Sequence, residues 1–94
     1  MKVHLKIEGL PQLYRTLQRK KDLDVEFPGS TLRDFVNGLI QKYGPGVKQA
    51  ILDRQGEIDM ELRVAVNFKQ FLSYGERMDT LLHDGDVLHL MTVG

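Results

Sequence analysis

Residues 31–44 read TLRDFVNGLIQKYG, and the rest of the chain is organised around this stretch. Apolar side chains fall at Leu32, Phe35, Val36, Leu39, Ile40 and Tyr43. That is the i, i+3, i+4, i+7, i+8 spacing of one helical face. Arg33, Asp34, Asn37, Gln41 and Lys42 take the other side. Gly38 falls with them, where it costs about 1 kcal/mol relative to Ala. Thr31 with Asp34 reads as a capping box, each side chain accepting an N–H that the first turn leaves unpaired. Gly44 followed by Pro45 is a stop, since Gly tolerates a left-handed cap and Pro cannot continue the helix. A helix with one apolar stripe needs a surface to cover, and the flanking sequence supplies a sheet.

Residues 2–9, KVHLKIEG, alternate Val3, Leu5 and Ile7 with His4, Lys6 and Glu8, the pattern of a half-buried strand. Residues 10–21 hold Leu10, Leu13 and Leu17 with Pro11 and a basic end, expected as a loop with one helical turn. Residues 22–28, DLDVEFP, alternate again and form an antiparallel pair with the first strand. Pro28-Gly29 ends that hairpin. After Gly46, VKQAILD is either one more helical turn or a short strand, and residues 54–57 are a turn. Residues 58–67, IDMELRVAVN, alternate at Leu62, Val64 and Val66. Residues 68–83 form an excursion rich in apolar residues: Phe68, Phe71, Leu72, Tyr74 and Met78. These either pack as a cluster beneath the excursion or form a partner-binding bulge. Asp84-Gly85-Asp86 is a tight turn with Gly at positive φ, and VLHLMTV, residues 87–93, is the last strand.

The order is hairpin, helix, strand, excursion, strand. It specifies an α+β fold with one main helix packed on a mixed sheet of four to five strands. A right-handed crossover with the first and last strands parallel in the centre makes this the β-grasp, or ubiquitin-like, arrangement. The 94 residues fit a single domain over 1–94, with one modest core.

Composition narrows the function. Thirteen basic and thirteen acidic residues give a formal net charge of zero, unlike the basic surplus of a nucleic-acid binder. No stretch approaches the length of a membrane span, and the N-terminus alternates where a signal peptide has an apolar block. The expected location is cytoplasmic. With no cysteine, thiol catalysis, disulfides and thiolate metal sites are excluded. His4 and His89 lack a carboxylate partner for a metal site and read as surface histidines. Asp84-Gly85-Asp86 lacks the ligand series of a calcium loop. The carboxylates Asp22 and Asp24, and Glu57, Asp59 and Glu61, face solvent without a pocket to raise a pKa. No nucleophile–base pair appears, so the chain is not expected to be an enzyme.

Arg63-Val64-Ala65-Val66-Asn67, followed by Leu81-Leu82-His83-Asp84-Gly85-Asp86-Val87-Leu88, resembles the "VAVN … L.DGD.V" signature of the ubiquitin-like sulfur carriers. These include the molybdopterin synthase small subunit and the thiamine sulfur carrier protein. Gly29-Ser30-Thr31-Leu32-Arg33-Asp34-Phe35 resembles the helix start of the same family, and the likeness spans the chain in element order.

The resemblance implies that the carboxylate of Gly94 is adenylated and converted to a thiocarboxylate for cofactor biosynthesis. ATP is used by the partner, a ubiquitin-activating-type adenylating enzyme, and no cofactor is bound by the chain itself. Thr92 and Val93 would form the tail, which enters a synthase large subunit or similar sulfur acceptor. Neither nucleic acid nor membrane is implied as a partner. The resemblance also implies docking through the exposed sheet face near the last strand. By alternation that face carries His4, Lys6, Arg63, Ala65, His89 and Met91, with Phe68 and Phe71 as candidate apolar anchors. The partner-binding set is therefore Phe68, Phe71, His89 and Met91. The family ends Gly-Gly where this chain ends Val93-Gly94. A ubiquitin-like interaction module or a protein modifier without sulfur chemistry is the alternative.

Overall fold

The computed structural model describes residues 1–72 and 74–92, and of residues 70 and 74–76 only the backbone. Strand β1 (Lys2–Glu8) leads into helix α1 (Pro11–Thr16), strand β2 (Asp22–Glu26), helix α2 (Leu32–Tyr43) and helix α3 (Pro45–Ile51). Strands β3 (Leu62–Val66) and β4 (Gln70–Phe71), a 3-10 helix over Tyr74–Asp79, and strand β5 (Val87–Thr92) follow. The five strands form one sheet in the order β2-β1-β5-β3-β4. β1 and β5 run parallel, with Leu5 opposite Leu88 and Ile7 opposite Leu90. β1–β2, β3–β5 and β3–β4 are antiparallel. This is the β-grasp arrangement expected from the strand pattern.

α2 starts as the sequence specifies. The Asp34 N–H donates to Thr31 Oγ1, and Asp34 Oδ2 accepts from the Thr31 and Ser30 N–H groups. These bonds to the charged form hold the Asp34 pKa below its ordinary value. The helix stops at Gly44, where φ is +88°, and Pro45 opens α3 at its first position. Leu32, Phe35, Val36 and Leu39 point inward onto Val3, Leu5, Val25, Val64, Leu88 and Leu90 in one buried cluster.

Several expectations are corrected. Residues 11–16 form a full short helix in place of a loop with one turn, while Pro45–Ile51 takes the helical one of the two readings left open. α1 and α3 both add to the core, through Leu13, Val47 and Ile51. β3 begins at Leu62, because Ile58 is diverted into a bridge with Leu52. Ala65, placed by alternation on the exposed face, is buried. Its direct cross-strand neighbours are Phe71 and His89, whose larger side chains cover it. The apolar residues of the excursion divide. Met78 joins the main core and Leu72 packs against it, whereas Phe68 and Phe71 are 59% and 58% exposed. The Tyr74 side chain lies outside the described residues.

Gly38 is not a solvent-face residue either. A Cβ placed there would sit 2.7 Å from the Phe27 Cβ, so the missing side chain lets α2 cross the end of β2 closely. Propensity alone favours Gly38→Ala by about 1 kcal/mol. The contact reverses the sign, because overpacking costs about 1–3 kcal/mol. Gly38→Ala is expected to lower the urea midpoint; a raised midpoint would mean that this crossing relaxes freely.

Arg77 is 2% exposed and holds the loop before β3. Its Nη1 donates to the Leu62 carbonyl at 2.6 Å, and Nη2 donates to the carbonyls of Ile58 and Asp59 at 2.6 and 3.1 Å. Among the described residues no helix is long and apolar enough to cross a membrane.

Candidate functional site

The outer face of the sheet is the side that α2 leaves uncovered. Register places Asp22, Lys6, His89, Ala65 and Phe71 in one row across β2, β1, β5, β3 and β4. Glu8, Met91 and Arg63 make the next row. Three of the four expected docking residues, Phe68, Phe71 and His89, therefore lie together, with Met91 one step along β5. Phe68 meets His89 edge-on, with ring centroids 5.4 Å apart. Lys6 Nζ stands 5.7 Å from the centre of the Phe68 ring, and the Arg63 guanidinium 5.5 Å from that of Phe71. Such stacking holds a cation beside an exposed ring without hiding either. His89 Nε2 lies 3.4 Å from Glu8 Oε2.

Phe68 reaches this position through a strained turn. Asn67 and Phe68 both have left-handed φ, 55° and 59°, and the Lys69 N–H closes the turn on the Val66 carbonyl at 3.2 Å. Val66 pairs with Gln70, so residues 67–69 make a three-residue hairpin loop whose first two φ values are positive, as in the primed turns that favour Asn followed by Gly. Asn67 suits its place. Phe68 occupies the glycine place, where a side chain costs roughly 1–2 kcal/mol.

The two halves of the motif meet at the start of β5. Asn67 Nδ2 donates to Asp86 Oδ1 at 3.1 Å, and Asn67 Oδ1 accepts from the Val87 N–H at 2.9 Å. Asp86 Oδ2 accepts from the His83 N–H, and Asp84 Oδ1 from the Lys2 N–H. The Asp84-Gly85-Asp86 turn thus locks β5 against both β1 and β3. Its role is positional: it sets where the far end of β5 emerges.

That far end is Thr92, opposite Leu62 of β3. Gly9, at φ +70°, brings the β1–α1 corner so close that an added Cβ would lie 2.9 Å from Thr92 Oγ1. A cleft of about 570 Å³ opens here, lined by Leu10, Pro11, Leu13, Ala50, Leu62 and Thr92 among others. Val93 and Gly94, the other tail positions named from the sequence, lie outside the described residues.

Sequence reasoning missed the partners of His4. Its Nδ1 lies 2.9 Å from Asp24 Oδ1 and its Nε2 2.8 Å from Asp22 Oδ1, and Lys6 Nζ is 3.3 Å from Asp22. The alternation of β1 and β2 already put these groups on one face. With both ring nitrogens facing carboxylates, imidazolium is favoured. The bonds to Asp22 and then Asp24 raise the His4 pKa above 6.5, and the bond to His4 lowers both carboxylates. A raised histidine pKa stabilises the fold fully below the unfolded value and is lost as pH climbs through the folded value. An NMR titration of the His4 ring should therefore give a midpoint above 6.5, falling toward it in Asp24→Asn; a midpoint at or below 6.5 would refute the pairing. Among the described residues no group of three or more acidic or histidine side chains is arranged to hold a metal ion.

No protein-family model and no curated protein sequence matches this chain. Solved structures do. CysO from Mycobacterium tuberculosis superposes with a TM-score of 0.79 at 19% identity, over 98% of this chain and 99% of that one. Small archaeal modifier protein SAMP1 from Haloferax volcanii gives 0.74 at 18%, over 100% and 97%. A putative molybdopterin converting factor, subunit 1, from Pyrococcus furiosus gives 0.66 at 21%, over 98% and 97%. At these identities the likeness is one of fold. It brings the chain to the same β-grasp proteins that the Val-Asn and Asp-Gly-Asp motifs resemble.

Proposed function

We propose that this chain is a cytoplasmic ubiquitin-like carrier whose working group is the Gly94 carboxylate. A carboxylate oxygen attacks the α-phosphorus of ATP on a ubiquitin-activating-type enzyme, forming an acyl adenylate and releasing pyrophosphate. Hydrosulfide then attacks the acyl carbon, forming the C–S bond as the C–O bond to AMP breaks and releasing AMP and a proton. The resulting thiocarboxylate passes to a synthase large subunit or similar acceptor in molybdopterin- or thiamine-type cofactor synthesis. The chain contributes no side-chain chemistry. It presents a main-chain atom, and a terminal glycine lets that atom approach a nucleotide closely.

The observation that best supports this reading is the course of β5. It is the central strand of the sheet, paired on both sides from Leu88 to Met91, and its last residue, Thr92, comes two positions before Gly94 in the sequence. A firmly paired strand close in sequence to the reacting group reduces the ordering cost of inserting a short tail. The similarity in fold to a molybdopterin converting factor subunit points the same way.

The similarity to an archaeal modifier protein favours a second reading, in which the same adenylate is transferred to a lysine amine of another protein. Pyrophosphate exchange with an adenylating enzyme and ATP tests what the two readings share. Chain-dependent exchange is expected, and none with an enzyme active on its own carrier would overturn both. Covalent adducts of higher mass on denaturing gels, formed without a sulfur source, would select the modifier.

A further inference from the structure

Arg77 is the one buried charged side chain among the described residues, and the carrier chemistry makes no use of it. We infer that it is a positioning residue: its guanidinium stands in for an edge strand beside β3 and fixes the point at which the C-terminal end leaves the sheet. The consequence for the reaction rests on the carrier reading, while the geometry rests on hydrogen bonds alone. In an antiparallel ladder, alternate residues bond to opposite sides. The Asn67 N–H donates to the Val87 carbonyl of β5, so residues 67, 65 and 63 bond toward β5 and residues 66, 64 and 62 bond away from it. Those three outward carbonyls are met in turn by one excursion. The Lys69 N–H donates to the Val66 carbonyl at 3.2 Å, and the Leu72 N–H to that of Val64 at 2.9 Å. At Leu62 the donor is a side chain, Arg77 Nη1, at 2.6 Å.

Leu62 matters because of what lies opposite it. The pairing of β1 with β5 ends at Glu8 and Met91, whereas β3 continues one step further, to Leu62 opposite Thr92. Among the described residues Leu62 is thus the one strand partner of Thr92, two positions before Gly94 in the sequence. The approach to Leu62 is held by the same guanidinium. Nη2 donates to the carbonyls of Ile58 and Asp59, and the Leu62 N–H closes a turn on the Asp59 carbonyl at 3.0 Å. A planar fork that donates from two nitrogens sets both the position and the orientation of the segment it grips. Leu62 and Thr92 also line the same cleft. Loosening residues 58–62 frees the start of the tail, so more order must be supplied when the tail inserts into the adenylating enzyme. That cost falls on capture of the chain and not on the chemical step, which raises KM and leaves kcat in place.

Arg77→Lys in the full chain tests this. The lysine nitrogen ends where the guanidinium carbon stands, so charge and stem remain while the donors withdraw from all three carbonyls. Backbone 15N order parameters at Leu62 and Thr92 should fall from about 0.85 toward about 0.6. Those at Val3 and Val25, paired across β1 and β2, should stay near the rigid value; a loss of global stability alone moves neither set. In pyrophosphate exchange the KM for the chain should rise about fivefold or more, with kcat held within about twofold. Unchanged order at Leu62 and Thr92, an equal fall at Val3 and Val25, loss of the fold, or an unchanged KM would each overturn the inference. A second measurement needs no variant. In the native chain the Arg77 Nη protons should exchange with water about 100-fold more slowly than those of exposed Arg54, and equal rates would also overturn it. No pyrophosphate exchange with the native chain defeats the carrier reading instead, and the order parameters still decide whether Arg77 anchors the strand end.

Discussion

Deleting Gly94 is expected to cut adenylate formation by at least 100-fold while leaving the fold unchanged. The last described pairing of β5 is Thr92 with Leu62, and the core residues of β5 are Leu88 and Leu90, so the truncation leaves all of these in place. It moves the terminal carboxylate back by about 3.5 Å, the span of one extended residue. A displacement of about 1 Å in a reacting group already costs on the order of 100-fold. The truncation also leaves β-branched Val93 as the terminal residue, which hinders close approach to a nucleotide. Exchange kinetics alongside thermal unfolding check this. Undiminished exchange would mean that the terminal carboxylate is not the reacting group, and a lowered melting temperature would mean that the tail is part of the fold.

The largest stability effect is expected at Phe35. Its side chain is wholly buried and packs edge-on against Phe27, with ring centroids 5.5 Å apart at 86°. Those two rings join the middle of α2 to the end of β2, beside the crossing at Gly38. Phe35→Ala removes the ring and leaves a cavity, at a cost of about 3–5 kcal/mol. A domain of this length has a total stability of roughly 5–14 kcal/mol, so the variant should be close to unfolding. Phe35→Leu, which keeps most of the volume, should cost substantially less. Urea unfolding of both variants measures this. A loss below about 1 kcal/mol in Phe35→Ala would show that α2 is not seated as described.

The legible parts of the fold were those where one local rule and one long-range need agree. Around α2, the Thr31–Asp34 cap and the apolar period both specify a helix, and the sheet below requires that face. β1, β2 and β5 alternate cleanly, so their faces could be read before their neighbours were known. Gly38 was misplaced because a helical wheel sorts residues by polarity and is blind to the close approach of Phe27. Phe68 and Phe71 were ambiguous because apolar content in a loop suggests burial, and only backbone φ shows that Phe68 sits at the exposed corner of a hairpin. Arg77 left no pattern, since its acceptors are main-chain carbonyls of residues 58, 59 and 62. The His4 cradle was legible in principle: antiparallel pairing of β1 with β2 puts His4 opposite Asp24 and Lys6 opposite Asp22. Of the candidate site, alternation already grouped Lys6, Arg63, His89 and Met91 on one sheet face. The row through Lys6, His89, Ala65 and Phe71 required the register.

Intact mass spectrometry of the chain after incubation with an adenylating enzyme, ATP and a sulfur donor, followed by fragmentation, tests the central claim most directly. The expected result is replacement of one oxygen by sulfur, carried only by C-terminal fragments that contain Gly94. An unchanged mass with an enzyme that charges its own carrier, or sulfur found on any other residue, would contradict it.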